Sequence, residues 1–324
     1  MANILVTGGA GYIGSATAKR LAAAGHAVTV YDNLSTGHAD LVRFGPLVEA
    51  DIRDTARMTA ALAGVDGVVH FAASAYVGES VTDPGRYYDN NVGGTLSLLN
   101  AMRAAGVGAL VVSSTCAVYG QPERMPIRED AAKAPINPYG MTKLVMERMC
   151  ADFEAAHGIR TVALRYFNAC GCEPELEVGE RHDPETHLIP RILMAACGEI
   201  PAFQLFGDDY PTADGTCVRD YVHVWDLAEA HARALERLLA GGPSDAVNLG
   251  TGRGTSVRAV LDAAARATGR AIPVAVQPRR PGDPAELVAD PAHARAALGF
   301  APALSDMDTI VDTAWRWHRK QRGG

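Results

Sequence analysis

Short apolar runs, rich in β-branched residues, alternate with longer helix-like stretches through the first half of the chain. The apolar runs predict buried strands at residues 3–7, 27–31, 65–72, 109–114 and 160–165. The longer stretches predict helices at residues 12–24, 84–105 and 138–157. This alternation predicts an α/β fold built on a doubly wound parallel sheet, with helices on both faces.

The pattern changes after Phe167. Residues 169–183 are rich in glycine, proline and acidic residues, and shorter elements separated by turns follow them. The segment 248–251, Asn-Leu-Gly-Thr, resembles the end of a strand, so we expect part of this half to rejoin the main sheet. We predict a main domain at residues 1–168 and a smaller mixed α/β C-terminal lobe at residues 169–324, partly interleaved with it.

The composition narrows the class of protein. Of the 324 residues, 48% are apolar and 21% charged, which suits a globular chain with a full core. The formal net charge of -7 argues against general nucleic-acid binding. The six cysteines form no CxxC pair, and we find neither a signal peptide nor an apolar run long enough to span a membrane. We therefore expect a cytoplasmic protein.

A glycine-rich loop follows the first predicted strand and opens the first predicted helix. Its glycines Gly8, Gly9, Gly11 and Gly14 match the dinucleotide pattern, in which the backbone approaches a pyrophosphate at a helix N-terminus. Asp32 ends the next strand, where a carboxylate can bind ribose hydroxyls and repel a 2′-phosphate. The loop therefore predicts a Rossmann domain that prefers NAD to NADP, and Asn33 beside Asp32 adds no positive charge to change that preference.

A Tyr-x-x-x-Lys pair supplies candidate chemistry. Tyr139 and Lys143 lie four residues apart, which places both on one face of the predicted helix. A nearby ammonium and a positively charged nicotinamide both favour the phenolate form of a tyrosine. Thr115, which ends a Ser-Ser-Thr run after a strand, can hydrogen-bond the same substrate hydroxyl. We predict that Tyr139 is a general base for hydride transfer to NAD.

Further motifs extend this pattern along the chain. They are Tyr31-Asp32-Asn33-Leu34, Val77-Gly78-Glu79-Ser80, Tyr88-Asp89-Asn90-Asn91-Val92, Asn137-Pro138-Tyr139-Gly140, Arg165-Tyr166-Phe167-Asn168, Phe206-Gly207-Asp208-Asp209-Tyr210-Pro211-Thr212, Val218-Arg219-Asp220-Tyr221-Val222-His223-Val224 and Arg280-Pro281-Gly282-Asp283. With them the chain resembles, almost from end to end, the extended short-chain dehydrogenase/reductase family and within it the UDP-glucose 4-epimerases. The Asp-Tyr-Pro-Thr and Val-Arg-Asp-Tyr segments are the more specific to these epimerases.

The resemblance implies a set of binding residues. The residues implied to contact NAD are Gly8, Gly11, Tyr12, Ile13, Asp32, Asn33, Asp51, Ile52, Phe71, Ala72, Ala73, Asn90, Lys143 and Tyr166. Those implied to line a UDP-sugar site are Asn168, Leu188, Phe206, Arg219, Arg280 and Asp283. Two arginines can neutralise a diphosphate, which agrees with this assignment. The family also implies a homodimer formed through two long helices of the cofactor domain.

The resemblance further implies a transient redox cycle at carbon 4 of the sugar. Tyr139, assisted by Thr115, removes the 4-hydroxyl proton while hydride passes to NAD. The 4-keto sugar then turns over while UDP stays anchored, and hydride returns to the opposite face. Thr115 replaces the commoner serine and keeps the hydroxyl. Ala16 and Ala75 replace a histidine and a lysine found in some members, which predicts weaker retention of NAD.

Alternatives remain for the substrate and the reaction. A pentose epimerase for UDP-xylose and UDP-arabinose would keep every residue above. Leu287 occupies a position that resembles the family's size gate, and because leucine is smaller than tyrosine an N-acetylated sugar would fit. A 4,6-dehydratase commonly has an acid/base pair beside the catalytic threonine, where this chain has Cys116 and Ala117. A non-catalytic NAD sensor would not need Thr115, Tyr139 and Lys143.

Several histidines and cysteines are predicted to have no metal role. His70 and His187 lack the paired spacing of a metal site, and His182, Asp183 and His187 are predicted to be scattered polar residues of a loop. Cys170-Gly171-Cys172 is too tightly spaced for zinc and predicts buried small residues. We therefore predict no metal site.

Overall fold

The computed structural model describes residues 1–280 and 282–323, and within them seven parallel strands form the main sheet. These strands are β1 (Asn3–Thr7), β2 (Ala27–Asp32), β3 (Leu47–Glu49), β4 (Gly67–His70), β5 (Ala109–Thr115), β6 (Arg160–Tyr166) and, from the second half, β10 (Asp245–Leu249). Their spatial order is β10-β6-β5-β4-β1-β2-β3, and every pair is parallel. The order reverses direction beside β1, which places a crevice at the carboxyl ends of β1 and β4.

Helices cover both faces of this sheet, because successive side chains of each strand point to opposite faces. The first face carries α1 (Tyr12–Ala23) and α8 (Val224–Leu239), which pack on residues such as Val6 and Val30. The second carries α2 (Thr55–Ala61), α5 (Gly94–Ala105) and α6 (Pro138–His157), which pack on residues such as Leu5 and Leu110. The predicted doubly wound α/β fold is confirmed.

Individual elements agree closely with the sequence patterns. Helix α6 has the predicted bounds, since the Asn137 side chain accepts a hydrogen bond from the Gly140 N–H and Gly158 ends the helix at a φ of 71°. The predicted helix 84–105 is continuous but contains a π-helical segment, Tyr88–Gly93, between α4 (Pro84–Tyr87) and α5. The predicted strand 65–72 is shorter, at Gly67–His70.

The second half builds two smaller sheets beside the main one. Strand β9 (Val218–His223) pairs with β7 (Asn168–Cys170), β11 (Gly254–Ser256) and β13 (Glu286–Leu287), and β8 (Phe203–Phe206) pairs with β12 (Val274–Gln277). Apolar side chains of α7 (Leu188–Ala196), α9 (Val257–Thr268) and α11 (Met307–Gln321) pack together with residues of these strands into one further core.

The expected return to the main sheet is confirmed by β10, which pairs with β6. A division of the chain at residue 168 stays a prediction. Pro281, part of the Arg280–Asp283 motif, lies outside the described residues. Across the described ranges, no helix combines the length and the apolar character that crossing a membrane requires.

Candidate active site

The carboxyl ends of β1, β4, β5 and β6 open onto one cavity of about 430 Å³. Ligand cavities in α/β proteins lie at this edge of the sheet and have volumes of this order. The predicted residues that line it are Gly8, Gly11, Tyr12, Ile13, Asp32, Asn33, Ile52, Phe71, Ala72, Ala73, Asn90, Thr115, Tyr139, Lys143, Tyr166 and Asn168. Residues from eight separate stretches of sequence therefore line one cavity.

The glycine loop forms one wall of this cavity. Gly8 has a φ of 71°, and a Cβ there would lie 2.5 Å from the backbone nitrogen of Ala72. A Cβ on Gly14 would lie 2.2 Å from the Gly8 carbonyl oxygen. Helix α1 begins after Gly11 without a capping side chain and without an acidic residue in its first turn. Its N-terminus thus presents uncapped backbone N–H groups and a positive dipole end, which suit a pyrophosphate.

Asp32 lies beside this helix N-terminus with only 7% of its surface exposed. Its carboxylate accepts hydrogen bonds from the N–H groups of Ala10 and Leu34, at 3.0 and 2.8 Å. Burial raises the pKa of Asp32, while both backbone bonds oppose the rise. Asp51 does not line the cavity. Its carboxylate accepts hydrogen bonds from Arg53 and from Asn33, so it acts on the cavity wall through Asn33.

The candidate catalytic side chains line the same cavity, where Thr115 and Lys143 are buried and Tyr139 is partly buried. Lys143 is 2% exposed, and its Nζ donates a hydrogen bond to the Ser113 carbonyl oxygen at 2.8 Å. Burial lowers the pKa of Lys143 to about 7, although the charge of Glu147 opposes the shift. Burial raises the pKa of Tyr139 to about 12, and a hydrogen bond with Thr115 opposes that rise.

These shifts differ from the expectation that Lys143 holds Tyr139 near its phenolate form. Desolvation disfavours both the phenolate and the ammonium, and it dominates both groups. A positive charge in the cavity beside Tyr139 would favour its phenolate form and lower this raised pKa.

A buried ion pair supports the catalytic helix from behind. The Arg165 guanidinium donates two hydrogen bonds to Glu147, at 2.8 and 2.6 Å, and a third to the Tyr119 hydroxyl at 2.9 Å. The Ser114 hydroxyl donates to the same carboxylate at 2.5 Å. Because Glu147 lies one turn after Lys143, this network joins β5, α6 and β6 next to the cavity.

Most of the residues predicted to bind the sugar nucleotide lie outside this cavity. Arg219 on β9 donates a hydrogen bond to Asp283 at 2.5 Å, and Leu287 is its partner in strand register. The Arg280 guanidinium lies 4.1 Å from the centre of the Phe206 ring. Leu188 begins α7.

The Arg219 region adjoins the catalytic residues. Burial raises the pKa of Cys116 to about 11, and the charge of Arg219 opposes that rise. Cys116 follows Thr115 directly, and Cys116 and Leu287 pack against one apolar cluster. Arg219 and Leu287, two of the residues predicted to bind the substrate, thus lie close to Cys116, the neighbour of Thr115 in the chain.

The sequence did not predict several residues that line the cavity. Glu79, which belongs to one of the motifs above, lines the cavity with Ser74, Tyr76 and Arg86. A further set, Glu180, His182, Glu185 and His187, brings its donor atoms within 4.8 Å of one another. His182 and His187 lie in an irregular segment, as predicted, but their donor atoms are close to those of Glu180 and Glu185, which the sequence analysis did not anticipate. Their contacts depend on the tertiary fold of an irregular segment, which no periodic pattern reveals.

The histidines and the carboxylates of this set shift each other's pKa values. Burial alone lowers the pKa of His182, but Glu180 and Glu185 outweigh it and raise the pKa to about 9. Burial alone raises the pKa of Glu185, but the two histidines outweigh it and lower the pKa to about 2.

Comparison with known proteins gives a consistent result. The model of the NAD dependent epimerase/dehydratase family matches residues 4–250. The UDP-glucose 4-epimerase of Rhizobium meliloti (strain 1021) is 52% identical over 325 residues, which cover 99% of both chains. The crystal structure of UDP-glucose 4-epimerase from Brucella ovis in complex with NAD superposes with a TM-score of 0.96 at 57% identity over 98% of both chains.

A second similar solved structure contains a sugar nucleotide as well as NAD. It is UDP-glucose-4-epimerase from Stenotrophomonas maltophila with bound NAD and formylated UDP-arabinopyranose. It covers 100% of both chains with a TM-score of 0.96 at 42% identity.

Proposed function

The chain belongs to the NAD dependent epimerase/dehydratase family, and from that premise we propose that it interconverts UDP-glucose and UDP-galactose. One observation carries the proposal. A single cavity joins an uncapped glycine-loop helix and Asp32 to Thr115, Tyr139 and Lys143. The relatives named UDP-glucose 4-epimerase match this chain over its full length, which favours a hexose over the pentose alternative.

The cavity residues suit NAD. The N-terminus of α1 would bind the pyrophosphate, and Asp32 with Asn33 would bind the ribose beside it. Phe71, Ala72, Ala73, Asn90 and Tyr166 would form the remaining walls, and Lys143 would reach the inner end. When bound, NAD would supply the acceptor for the carbon-4 hydride and the donor for its return.

The residues of this chain would handle the proton. Tyr139 would remove the proton of the sugar 4-hydroxyl, and Thr115 would orient that hydroxyl through its own. A positive charge in the cavity would lower the pKa of Tyr139 from the raised value that burial imposes. The Lys143 ammonium, fixed by the Ser113 carbonyl oxygen, would add to this effect. On the return step Tyr139 would give the proton back.

The second lobe would hold the UDP part of the substrate. Arg219 and Arg280 would bind the diphosphate. The hydrogen bond from Arg219 to Asp283 would keep the Arg219 guanidinium in position. Phe206, Leu188 and Asn168 would complete the site, and Leu287 would border the sugar. Because both faces of the sugar must reach the same cavity wall, the site requires firm contacts to UDP and few to the sugar.

A dehydratase would require an acid/base pair beside Thr115. Cys116 occupies that position, and burial raises its pKa to about 11, so it stays protonated at neutral pH. Ala117 carries no ionisable group. At these two positions beside Thr115 the chain therefore has no acid/base pair to eliminate water.

The protein would act as a homodimer in galactose metabolism. Helices α5 and α6 expose Leu96 and Met141, which are 43% and 36% accessible. Apolar side chains exposed on two neighbouring long helices favour a contact between two copies of this chain.

The test is product formation with purified protein. With UDP-galactose as substrate, we expect UDP-glucose to accumulate until the two sugars reach an equilibrium ratio. With UDP-glucose as substrate, the reaction should reach the same ratio from the other side. UDP-xylose and UDP-N-acetylglucosamine, assayed in parallel, measure the breadth of the site. Turnover of UDP-xylose without turnover of UDP-galactose would overturn the hexose assignment.

A further inference from the structure

Four side chains of the types that bind metal ions meet at the rim of the cavity. Glu180, His182, Glu185 and His187 lie in the irregular segment between β7 and α7. His182 and His187 also line the cavity. The two carboxylates are largely buried, with 8% and 11% of their side-chain surface exposed.

Four of the six distances between the donor atoms are close to the edges of a tetrahedron of zinc ligands. The His187 Nδ1 lies 3.1 Å from Glu180 and 3.0 Å from Glu185. The His182 Nδ1 lies 3.4 Å and 3.6 Å from the same two carboxylates. Zinc with bonds of roughly 2.0–2.1 Å in tetrahedral geometry requires ligand atoms about 3.3–3.4 Å apart. Each histidine thus faces both carboxylates at a separation compatible with a shared ion, and the His187 Nδ1 and the Glu185 carboxylate are also within hydrogen-bond distance of each other.

One of these donor atoms is unsatisfied without an ion. The His182 Nδ1 is buried and makes no hydrogen bond, although both carboxylates surround it. Buried polar side-chain atoms usually have a partner. The two imidazole rings are also close, with centres 4.6 Å apart, so two imidazolium charges there would repel each other.

The charge of the group matches a divalent cation. The two carboxylates carry a total charge of −2. One divalent ion bound by two neutral imidazoles would neutralise this charge. Protonation of both imidazoles would neutralise it equally. Arg181 does not compete for these carboxylates, because its guanidinium donates to Asp40.

The backbone holds the four side chains in place before any ion binds. The Trp317 indole donates to the Glu180 carbonyl oxygen at 2.7 Å, and the His38 ring contacts the Arg181 carbonyl oxygen at 3.1 Å. The Glu185 carbonyl oxygen accepts from Arg191 at 3.2 Å, and the Glu185 carboxylate accepts the His187 backbone N–H at 2.7 Å. A preorganised ligand set lowers the ordering cost of binding.

We propose that Glu180, His182, Glu185 and His187 form a binding site for a divalent transition-metal ion, for which Zn²⁺ is the best fit. Imidazole nitrogens with carboxylate oxygens in a tetrahedral set are ligands that zinc accepts, whereas Mg²⁺ and Ca²⁺ prefer oxygen ligands alone. The ion would cross-link the segment 180–187, which lies beside Tyr12 and Tyr76 at the rim of the cavity.

The test is equilibrium dialysis of the untagged, EDTA-treated full chain against Zn²⁺, with the bound metal measured by mass spectrometry. We expect one Zn²⁺ per chain and a higher unfolding temperature with zinc than without it. His182→Gln and His187→Gln should each weaken binding by about 100-fold or more, because each removes a direct ligand. Circular dichroism checks that each variant is folded. If one variant does not fold, the zinc affinity of the other is compared with that of the wild type.

Two controls locate the site. Cys197, Glu199 and His318 form another group of possible ligands, and Asp183 is an acid of the same loop outside the set. Cys197→Ser and Asp183→Asn should bind zinc as the wild type does. Co²⁺ in place of zinc should give the visible absorption of a tetrahedral complex, lost in His187→Gln. Absence of stoichiometric zinc in the wild type, unchanged affinity in both histidine variants, or loss of zinc in Cys197→Ser would each overturn the proposal.

Discussion

Tyr139 is a partly buried phenol. Desolvation raises its pKa to about 12, and a hydrogen bond with the Thr115 hydroxyl opposes that rise. Tyr139→Phe removes the proton acceptor and preserves the shape of the ring. We expect turnover of UDP-galactose to fall by about 10³-fold, within the range of general-base contributions, with little change in UDP affinity. Steady-state kinetics and UDP titration measure the two effects.

The matched control lies at Thr115. Thr115→Ser keeps the hydroxyl and should retain most activity, whereas Thr115→Val should lose much of it. A Tyr139→Phe protein with nearly full turnover would contradict the assignment of the base.

Lys143 makes the free energy of unfolding depend on pH. Burial lowers its pKa to about 7 from the usual 10.5, so between these pH values the unfolded chain binds more protons at this side chain than the folded chain does. The contribution of Lys143 to stability therefore rises as the pH increases from about 7 to 10.5. The cost of burying its charge is largest below about pH 7, where the lysine is protonated in both states.

Lys143→Met removes this cost and should stabilise the protein most near pH 6. The gain should shrink as pH rises towards 10.5, where the lysine is neutral in both states. Urea unfolding of both proteins at several pH values measures the difference. A gain that grows with pH would show that burial does not lower the pKa of Lys143.

At the scale of the elements, the Glu147–Arg165 pair holds α6 against β5 and β6. Glu147→Gln would leave the Arg165 guanidinium buried without its charged partner, because only 4% of the Arg165 side chain is exposed. We expect the free energy of unfolding to fall by about 3 kcal/mol or more. Asp152→Asn is the control, since the Arg148–Asp152 pair on the same helix is exposed and contributes at most about 1 kcal/mol. If Glu147→Gln and Asp152→Asn lowered the free energy of unfolding in urea by equal amounts, the buried pair would not be the more important of the two.

Elements with local signals were predictable from the sequence. The bounds of α6 follow from Asn137 as the N-cap, Pro138 in the first turn and Gly158 after the end. Strand β3 was missed because three residues give too short a pattern. The π-helical segment 88–93 was missed because a helix of one extra residue per turn leaves no clear mark on the sequence.

The site was predictable only where spacing carries the chemistry. The glycine loop, Asp32 and the Tyr139–Lys143 pair follow strand and helix ends, so their convergence follows from the parallel sheet. Glu180 and His182 could not be predicted to meet Glu185 and His187, because distant residues such as Trp317 fix their loop. The raised pKa of Tyr139 also depends on burial, which spacing does not reveal.

At the scale of the whole molecule, the proposed dimer places α5 and α6 between two copies of the chain. Leu96→Glu would bury a charge in that contact, so we expect the dimer dissociation constant to rise by about 100-fold or more. Val276→Glu is the control, because Val276 is 52% exposed on β12 in the second lobe. Sedimentation velocity should show monomers only for Leu96→Glu. A monomeric wild type, or dissociation by Val276→Glu, would contradict the proposed contact.

The central claim is that carbon 4 is oxidised and reduced within one site. The most direct measurement uses UDP-galactose carrying deuterium at carbon 4, converted by the purified protein in ordinary water. Because the hydrogen leaves as hydride and returns in the same turnover, we predict UDP-glucose that retains the deuterium at carbon 4. Replacement of the deuterium by solvent hydrogen would contradict the account.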